Sequence, residues 1–201
     1  MSRPLAVAIT GGIGAGKSTA LESFRRHGAA TVSSDEIVHH LLATDADVKR
    51  ALVERLGDTI LGEDGAPDRE RIAFKVFRDR EALDFLEKLL HPLVSREYMT
   101  WREQLAALPN PPAVCVTEVP LLYEVGAETR FDKVVVITAP RKLREARRGR
   151  VDDRETRLLD DRDKAKRADF AYVNTGTPDA LDAWVAEVMA TLTANAHEEP
   201  L

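Results

Sequence analysis

The sequence predicts an α/β fold built around a parallel five-stranded sheet. Short apolar runs rich in valine and isoleucine recur along the 201 residues, which is typical of strands buried on both faces. Segments whose apolar residues have helical spacing separate these runs. Strands that alternate with helices favour a parallel sheet with right-handed crossovers.

The first part of the chain contains two predicted strands, each followed by a helix. Strand Leu5–Thr10 ends at a glycine-rich turn, and a helix is expected over 17–27. Gly28 stands just past that helix, where a left-handed cap residue is common. A second strand is expected over 30–32, and the polar residues after it are good N-caps for a helix that reaches Leu42.

The middle of the chain, about 45–107, is predicted to be almost entirely helical because its leucines, valines and isoleucines form amphipathic faces. Four breakers divide it into pieces, namely Gly57, Gly62, Gly65 and Pro67. Pro92 is expected to end or kink the last of these helices near His91.

The last part of the chain supplies the remaining three strands. Valine-rich runs over 113–119 and Lys133–Thr138 predict buried strands. The segment 141–167 is expected to be helical, Phe170–Val173 to be the last strand, and 178–193 to be a closing helix. In such sheets ligands bind at the carboxyl ends of the strands.

Composition indicates one soluble domain in the cytoplasm. The one cysteine, Cys115, excludes an intrachain disulfide, and no secretion signal or membrane-length apolar stretch is present. The net charge of −5 argues against nucleic acid as the main partner. We therefore expect no nucleic-acid or membrane partner, and the oligomeric state stays open.

One segment has the opposite charge from the rest of the chain. Residues 141–167 contain 12 Lys/Arg and 7 Asp/Glu. Two interpretations remain open at this point: a solvated helix with mixed charges, or an element that contacts phosphate groups.

The turn after the first strand carries the most informative motif. Its sequence GGIGAGKS, residues 11–18, matches the phosphate-binding pattern G-x-x-x-x-G-K-[ST]. Glycines let backbone N–H groups point at the phosphates, and the helix that follows adds the positive end of its dipole. Lys17 would follow the β- and γ-phosphates, Ser18 would ligand Mg²⁺, and Thr19 would reach the α-phosphate. The predicted nucleotide-binding residues are Gly12, Gly14, Ala15, Gly16, Lys17, Ser18 and Thr19.

Three classes of protein share this loop: small-molecule kinases, GTPase switches and nucleotide sensors without catalysis. GTPases usually carry an Asn-Lys-x-Asp motif, and no asparagine here is followed by lysine. A small kinase with an acceptor-binding insert and a basic lid fits the length. A nucleoside monophosphate kinase is the alternative within that class.

Further motifs narrow the class. The chain resembles the dephospho-coenzyme A kinase family, most distinctively in Leu90-His-Pro-Leu93 and Pro120-Leu-Leu-Tyr-Glu124. Other matching residues are Ile9–Thr19, Asp35 with Ile37, Asp68-Arg69, Val76-Phe77, Glu118-Val119, Ala168-Asp169 and Asn174-Thr-Gly176. The resemblance implies ATP-dependent phosphorylation of the ribose 3′-hydroxyl of dephospho-coenzyme A, with Mg²⁺.

The resemblance also implies a three-layer P-loop kinase fold in a single domain, residues 1–201. Its core would comprise 1–35, 113–140 and 168–201. A helical acceptor-binding insert would span 36–112, and a helical lid 141–167.

The roles of two acids follow from the resemblance. Asp35 would be the catalytic base, with a helix N-cap as the alternative. Glu118 stands where the family commonly has aspartate and would hold Mg²⁺ together with Ser18, with a solvated strand-end carboxylate as the alternative. The family usually has another acid two residues before Asp35, and here that residue is Ser33.

The resemblance assigns the acceptor site to Asp35, His91, Pro120 and Leu121. Arg69 is expected to pair with an acceptor phosphate. For His91 the alternative is a packed, hydrogen-bonded histidine, and for Arg69 a surface salt bridge.

The lid is expected to neutralise charge on the transferring phosphoryl group. Its candidates are Arg147, Arg148, Arg150 and Arg154, of which Arg154 aligns best with a family arginine. The lid also departs from the family, because it is shortened near residues 149–153 and has Leu158 where glutamine is frequent. Asn174 to Gly176 would line the adenine pocket through backbone groups.

Overall fold

The centre of the computed structural model, which describes residues 3–148 and 159–198, is one five-stranded sheet. Its strands are β1 (Leu5–Thr10), β2 (Ala30–Ser33), β3 (Val114–Glu118), β4 (Lys133–Thr138) and β5 (Phe170–Val173). The strand order is β2-β3-β1-β4-β5, and each neighbouring pair is parallel. The predicted α/β fold with a parallel five-stranded sheet is confirmed.

Helices occupy most of the remaining described chain. They are α1 (Lys17–Arg26), α2 (Ser34–Thr44), α3 (Ala46–Leu56), α4 (Arg69–Val76), α5 (Arg80–Ala106), α6 (Arg141–Arg148), α7 (Asp161–Arg167) and α8 (Pro178–Glu198). The predicted helical middle is confirmed, and two short 3₁₀ turns, Asp58–Ile60 and Glu128–Arg130, complete the elements. Of these helices, none combines the length and the apolar character that crossing a membrane requires.

The three central strands, β1, β3 and β4, are almost completely buried, and their successive residues point to opposite sides of the sheet. Val7 and Ile9 face a core that includes Phe24 of α1 and Leu181 of α8. Ala8, which lies between them, faces a second core formed by the turn after β3 and joined by α7. Packed elements thus cover both faces of the sheet, as predicted for a three-layer fold.

The register brings the carboxyl ends of three strands level with one another. Glu118 at the end of β3 stands opposite Ile9 of β1 on one side and opposite Ser33 of β2 on the other. Residues that directly follow β1 therefore emerge beside Glu118. This edge of the sheet is where the sequence predicts a ligand.

The chain forms two compact units. One comprises Met1–Ser33 with Trp101–Leu201, and the other comprises Ser34–Thr100. The second unit has its own apolar core, in which Leu52, Ile60 and Ile72 are almost completely buried. The division into core, insert and lid stays a prediction.

Helix α5 corrects one expectation. It runs without interruption from Arg80 to Ala106 and contains Pro92, so of the two predicted outcomes the end of the helix near His91 is wrong, and a kink there stays a prediction. Proline removes one backbone hydrogen bond from a helix. Apolar residues on both sides of Pro92, Leu90 and Val94, are buried, and this packing offsets the loss.

The end of α1 confirms the prediction of a left-handed cap at Gly28, whose φ is 93°. The Gly28 N–H donates to the carbonyl of Arg25, and the Ala29 N–H donates to that of Phe24. This is the Schellman arrangement. A Cβ at Gly28 would meet no atom within 4 Å, so only backbone conformation opposes a side chain there.

Replacing Gly28 with alanine is therefore expected to lower the free energy of unfolding by about 1 kcal/mol. Gly28→Asn should cost less, because asparagine tolerates the left-handed region better. Urea unfolding measures both variants. If asparagine costs as much as alanine, the backbone explanation is wrong.

Candidate active site

The loop between β1 and α1 has a backbone shape that requires glycine. Gly11, Gly14 and Gly16 have positive φ values of 139°, 75° and 101°. At Gly11 a Cβ would lie 1.9 Å from the carbonyl oxygen of Ile137 in β4. The loop therefore turns back tightly against the sheet, which curves its backbone around the start of α1.

The start of α1 is well suited to bind an anion. Its N-cap is Gly16, which provides no side-chain cap, and its first turn contains no acidic residue. The first N–H groups of a helix have no partner within the helix, and they carry the positive end of its dipole. The amides of Lys17, Ser18 and Thr19 can therefore bind phosphate oxygens.

Lys17 places its ammonium group over this loop. Its side chain is buried, and Nζ donates to the carbonyl oxygens of Gly11, at 3.1 Å, and Gly12, at 3.0 Å. These bonds hold a positive charge beside the loop amides. A phosphate oxygen in the loop could accept from the same ammonium group.

Ser18 and Glu118 meet at the carboxyl end of β3. The Ser18 hydroxyl donates to Glu118 Oε2 at 3.4 Å. Glu118 is only 5% exposed, so the alternative of a solvated strand-end carboxylate is wrong. A hydroxyl oxygen and a carboxylate oxygen are ligands that Mg²⁺ accepts, usually with phosphate oxygens and water completing the shell. The two residues fit the predicted metal site.

Asn174 approaches the loop from the β5 side of the sheet, whereas Glu118 approaches from the β3 side. Asn174 directly follows β5, and its buried side chain donates from Nδ2 to the carbonyl oxygen of Ala15 at 2.8 Å. Gly176, two residues further on, lies exposed in the connection to α8. The sequence assigned both residues to adenine through backbone groups, and the side-chain contact of Asn174 was not foreseen.

Two charged residues that were not predicted from the sequence as site residues lie beside Gly12. Arg144 Nη1 and Asp161 Oδ2 lie 3.0 and 2.8 Å from the point that a Cβ on Gly12 would occupy. Burial raises the pKa of the Asp161 carboxyl, and the positive charges of Arg144, Lys164 and Lys17 oppose that rise. Both residues belong to the basic segment, but its charge pattern does not distinguish them from their neighbours.

Part of the predicted lid can be located. Arg147 Nη1 donates to the carbonyl oxygen of Gly14 at 3.4 Å, so the basic segment does reach the loop. Arg148 ends α6, and its side chain lies outside the described residues. Arg150, Arg154 and Leu158 also lie outside them.

The turn after β3 contains the predicted acceptor residues Pro120 and Leu121. The carbonyl of Pro120 accepts from the hydroxyl of Thr10 at 3.2 Å, which ties this turn to the end of β1. The carbonyl of Leu121 accepts from the N–H of Val125 at 3.1 Å. The turn therefore lies beside the loop.

A buried ion pair links this turn to α7. Lys164 Nζ lies 2.7 Å from Glu124 Oε1, with the two side chains 0% and 12% exposed. The same carboxylate oxygen accepts from the N–H of Leu159 at 3.0 Å. Glu124 thereby fixes the chain just before α7. The sequence marked Glu124 as part of a family motif but gave no partner for it.

The other predicted acceptor residues belong to the second unit. Asp35 lies in the first turn of α2 and Arg69 is the first residue of α4, and both side chains are exposed. His91 is half-buried within α5. Among the described residues, Arg69 forms no ion pair and His91 forms no hydrogen bond. The surface salt bridge considered for Arg69 and the hydrogen-bonded packing considered for His91 are therefore not observed. The roles of the three residues stay predictions.

Comparison with known proteins identifies the relatives of this chain. A family model described as dephospho-CoA kinase matches residues 5–179. A dephospho-CoA kinase of Protochlamydia amoebophila is 34% identical over 194 residues, which cover 92% of this chain and 95% of that protein. The solved dephospho-CoA kinase from Campylobacter jejuni is 25% identical with a TM-score of 0.71, covering 94% of this chain and 98% of its own.

A more distant likeness concerns the fold alone. The shikimate kinase from Aquifex aeolicus is 16% identical with a TM-score of 0.53, and the alignment covers 97% of this chain and all of that one. Kinases named for different acceptors thus share this fold. The acceptor must be argued from the family and from the site residues.

Proposed function

Because this chain belongs to the dephospho-CoA kinase family, we propose that it transfers the γ-phosphoryl group of ATP to the ribose 3′-hydroxyl of dephospho-CoA. The products are CoA and ADP, and the reaction is the final step of CoA biosynthesis. The family match over residues 5–179 carries this proposal, because it includes both the phosphate loop and the motifs at His91 and Pro120.

The donor is held by the loop and by α1. The amides at the start of α1 bind the triphosphate, and Lys17 exchanges the carbonyls of Gly11 and Gly12 for oxygens of the β- and γ-phosphates. Its charge then offsets the negative charge that develops as the phosphoryl group is transferred.

Ser18 and Glu118, which lie within hydrogen-bonding distance of each other, are the residues that would hold the metal. When bound, Mg²⁺ would neutralise negative charge on the phosphate groups. Glu118 cannot turn away to solvent because it is buried at the strand end. Its carboxylate is therefore fixed for this contact.

Replacing Glu118 with glutamine is expected to raise the Mg²⁺ concentration for half-maximal activity by about tenfold, because a neutral amide oxygen attracts the cation less. Glu118→Asp should raise it less, since the charge is kept. The measurement is a Mg²⁺ titration at saturating ATP. An unchanged requirement in Glu118→Gln would exclude this residue from the metal site.

The acceptor is positioned and activated by the second set of residues. Asp35 accepts the proton of the attacking hydroxyl. His91, Pro120 and Leu121 line the acceptor site, and Arg69 pairs with an acceptor phosphate. These roles rest on the family motifs that the residues occupy.

Arginines of the basic segment complete the charge compensation. Arg147, which already contacts the loop, and Arg154 neutralise the transferring phosphoryl group. Gly176 contributes backbone groups to the adenine pocket. The proposal places the enzyme in the cytoplasm. Burial raises the pKa of the Cys115 thiol to about 11, so this thiol is expected to be unreactive.

ADP release with a panel of acceptors tests the proposed function. The protein is incubated with MgATP and, separately, with dephospho-CoA, AMP, CMP or shikimate. Of the four acceptors, we expect only dephospho-CoA to cause rapid ADP release. The variant Lys17→Met should lose this ADP release. Turnover with a nucleotide or shikimate, and none with dephospho-CoA, would overturn the assignment.

A further inference from the structure

The side chain of Asn174 is built into the wall of the phosphate loop. The residue is 5% exposed, and its own N–H donates to the carbonyl of Thr138 at 2.7 Å, which fixes it to β4. Its amide nitrogen donates to the carbonyl oxygen of Ala15 at 2.8 Å. The same nitrogen lies 2.4 Å from the point that a Cβ on Gly16 would occupy.

This contact determines the direction of one loop amide. The carbonyl of Ala15 and the N–H of Gly16 belong to one planar trans peptide, so they point in opposite directions. With the carbonyl held towards Asn174, the Gly16 N–H must point away from Asn174. That N–H makes no hydrogen bond to another residue in the described part of the chain.

A phosphate ligand in the loop needs the Gly16 N–H to point away from Asn174. Gly16 is the N-cap of α1, so its amide adjoins the amides of the first helical turn. If the Ala15–Gly16 peptide rotated, a carbonyl oxygen would replace a donor in the loop and would repel phosphate oxygens. Gly16 has a positive φ, and glycine can adopt more than one backbone conformation there, so an outside contact is needed to select one.

We propose that Asn174 is a positioning residue for the donor, whose side-chain amide holds the Ala15–Gly16 peptide so that the Gly16 N–H faces the triphosphate. This role rests on the proposed function only in that the donor is a nucleoside triphosphate. The expectation that Asn174 serves the adenine base through backbone groups is a separate role and stays a prediction. The base plays no part in the contact.

Inorganic tripolyphosphate separates the two roles, because it has the phosphates of ATP and no base. In Asn174→Ala the dissociation constants of ATP and of tripolyphosphate are expected to rise together by about tenfold. The KM for dephospho-CoA should stay within about twofold. Val173→Ala, which changes the exposed neighbour on the β5 side, should leave all three unchanged.

Asn174→Asp is the second variant, since it keeps the shape but replaces the donor with an oxygen that repels the Ala15 carbonyl. It should raise the dissociation constant of tripolyphosphate at least as much as Asn174→Ala does. If either folded variant binds tripolyphosphate as wild type does, the proposal is overturned, and weaker binding of ATP alone would return Asn174 to the adenine pocket.

A measurement on the wild-type protein does not depend on how the variants fold. With ¹⁵N-labelled glycine, the Gly16 amide proton should shift downfield on addition of tripolyphosphate. An unshifted Gly16 resonance at saturation would contradict the proposal. The measurements of ATP and tripolyphosphate binding and the NMR experiment do not use dephospho-CoA, so failure of the proposed acceptor would remove only the KM comparison. Failure of these binding measurements would leave the acceptor assignment intact.

Discussion

Replacing Asp35 with asparagine is expected to lower kcat by about 10²- to 10⁴-fold, the usual contribution of a general base. Asparagine has the same shape and cannot take the proton of the acceptor hydroxyl. Asp35 is exposed in the first turn of α2, so the fold should tolerate the change. The dissociation constant of ATP, measured by titration calorimetry, should stay within about twofold.

Glu36→Gln is the matched control, because Glu36 is also an exposed acid in the first turn of α2. It removes the same charge one residue away. We expect kcat within about twofold of wild type. Equal turnover in Asp35→Asn and wild type would remove Asp35 as the base. Equal losses in both variants would indicate a general charge effect.

Replacing Lys164 with methionine is expected to have the largest effect on stability, a loss of about 3–5 kcal/mol in the free energy of unfolding. Methionine keeps the length of the side chain and removes the charge that faces Glu124 at 2.7 Å. The carboxylate would then be buried without a countercharge. Its second oxygen already has no hydrogen-bond partner among the described residues.

Two comparisons separate this ion pair from a general effect of lysine. Lys166 lies on the same helix and pairs with Asp163 at the surface, with side chains 74% and 64% exposed. Lys166→Met should leave the urea midpoint unchanged. The double variant Lys164→Met with Glu124→Leu should regain most of the loss, because no buried charge remains. A double variant less stable than Lys164→Met would contradict this account.

The sequence predicts the sheet and the phosphate loop well because both depend on local pattern. Valine-rich runs mark the buried strands, and the loop motif requires glycine at Gly11 and Gly16, where the structure has positive φ. The left-handed cap at Gly28 follows from the same kind of local rule. These features are decided within a few residues of chain.

Contacts between distant residues were not predictable in the same way. Asn174 meets Ala15 only because β5 lies beside β4 and β4 beside β1. Lys164 looks like any residue of a charged helix until α7 packs against the turn after β3. Pro92 stays inside α5 because tertiary packing overrides the local preference of proline.

The position of the new phosphate on the product tests the central claim most directly. Dephospho-CoA and MgATP are incubated with the protein, and the product is characterised by ³¹P NMR with correlation to the ribose protons. We predict one new phosphomonoester coupled to the proton at C3′, in an amount equal to the ADP formed. A phosphate at another position, or ADP formed without any phosphorylated dephospho-CoA, would contradict the account.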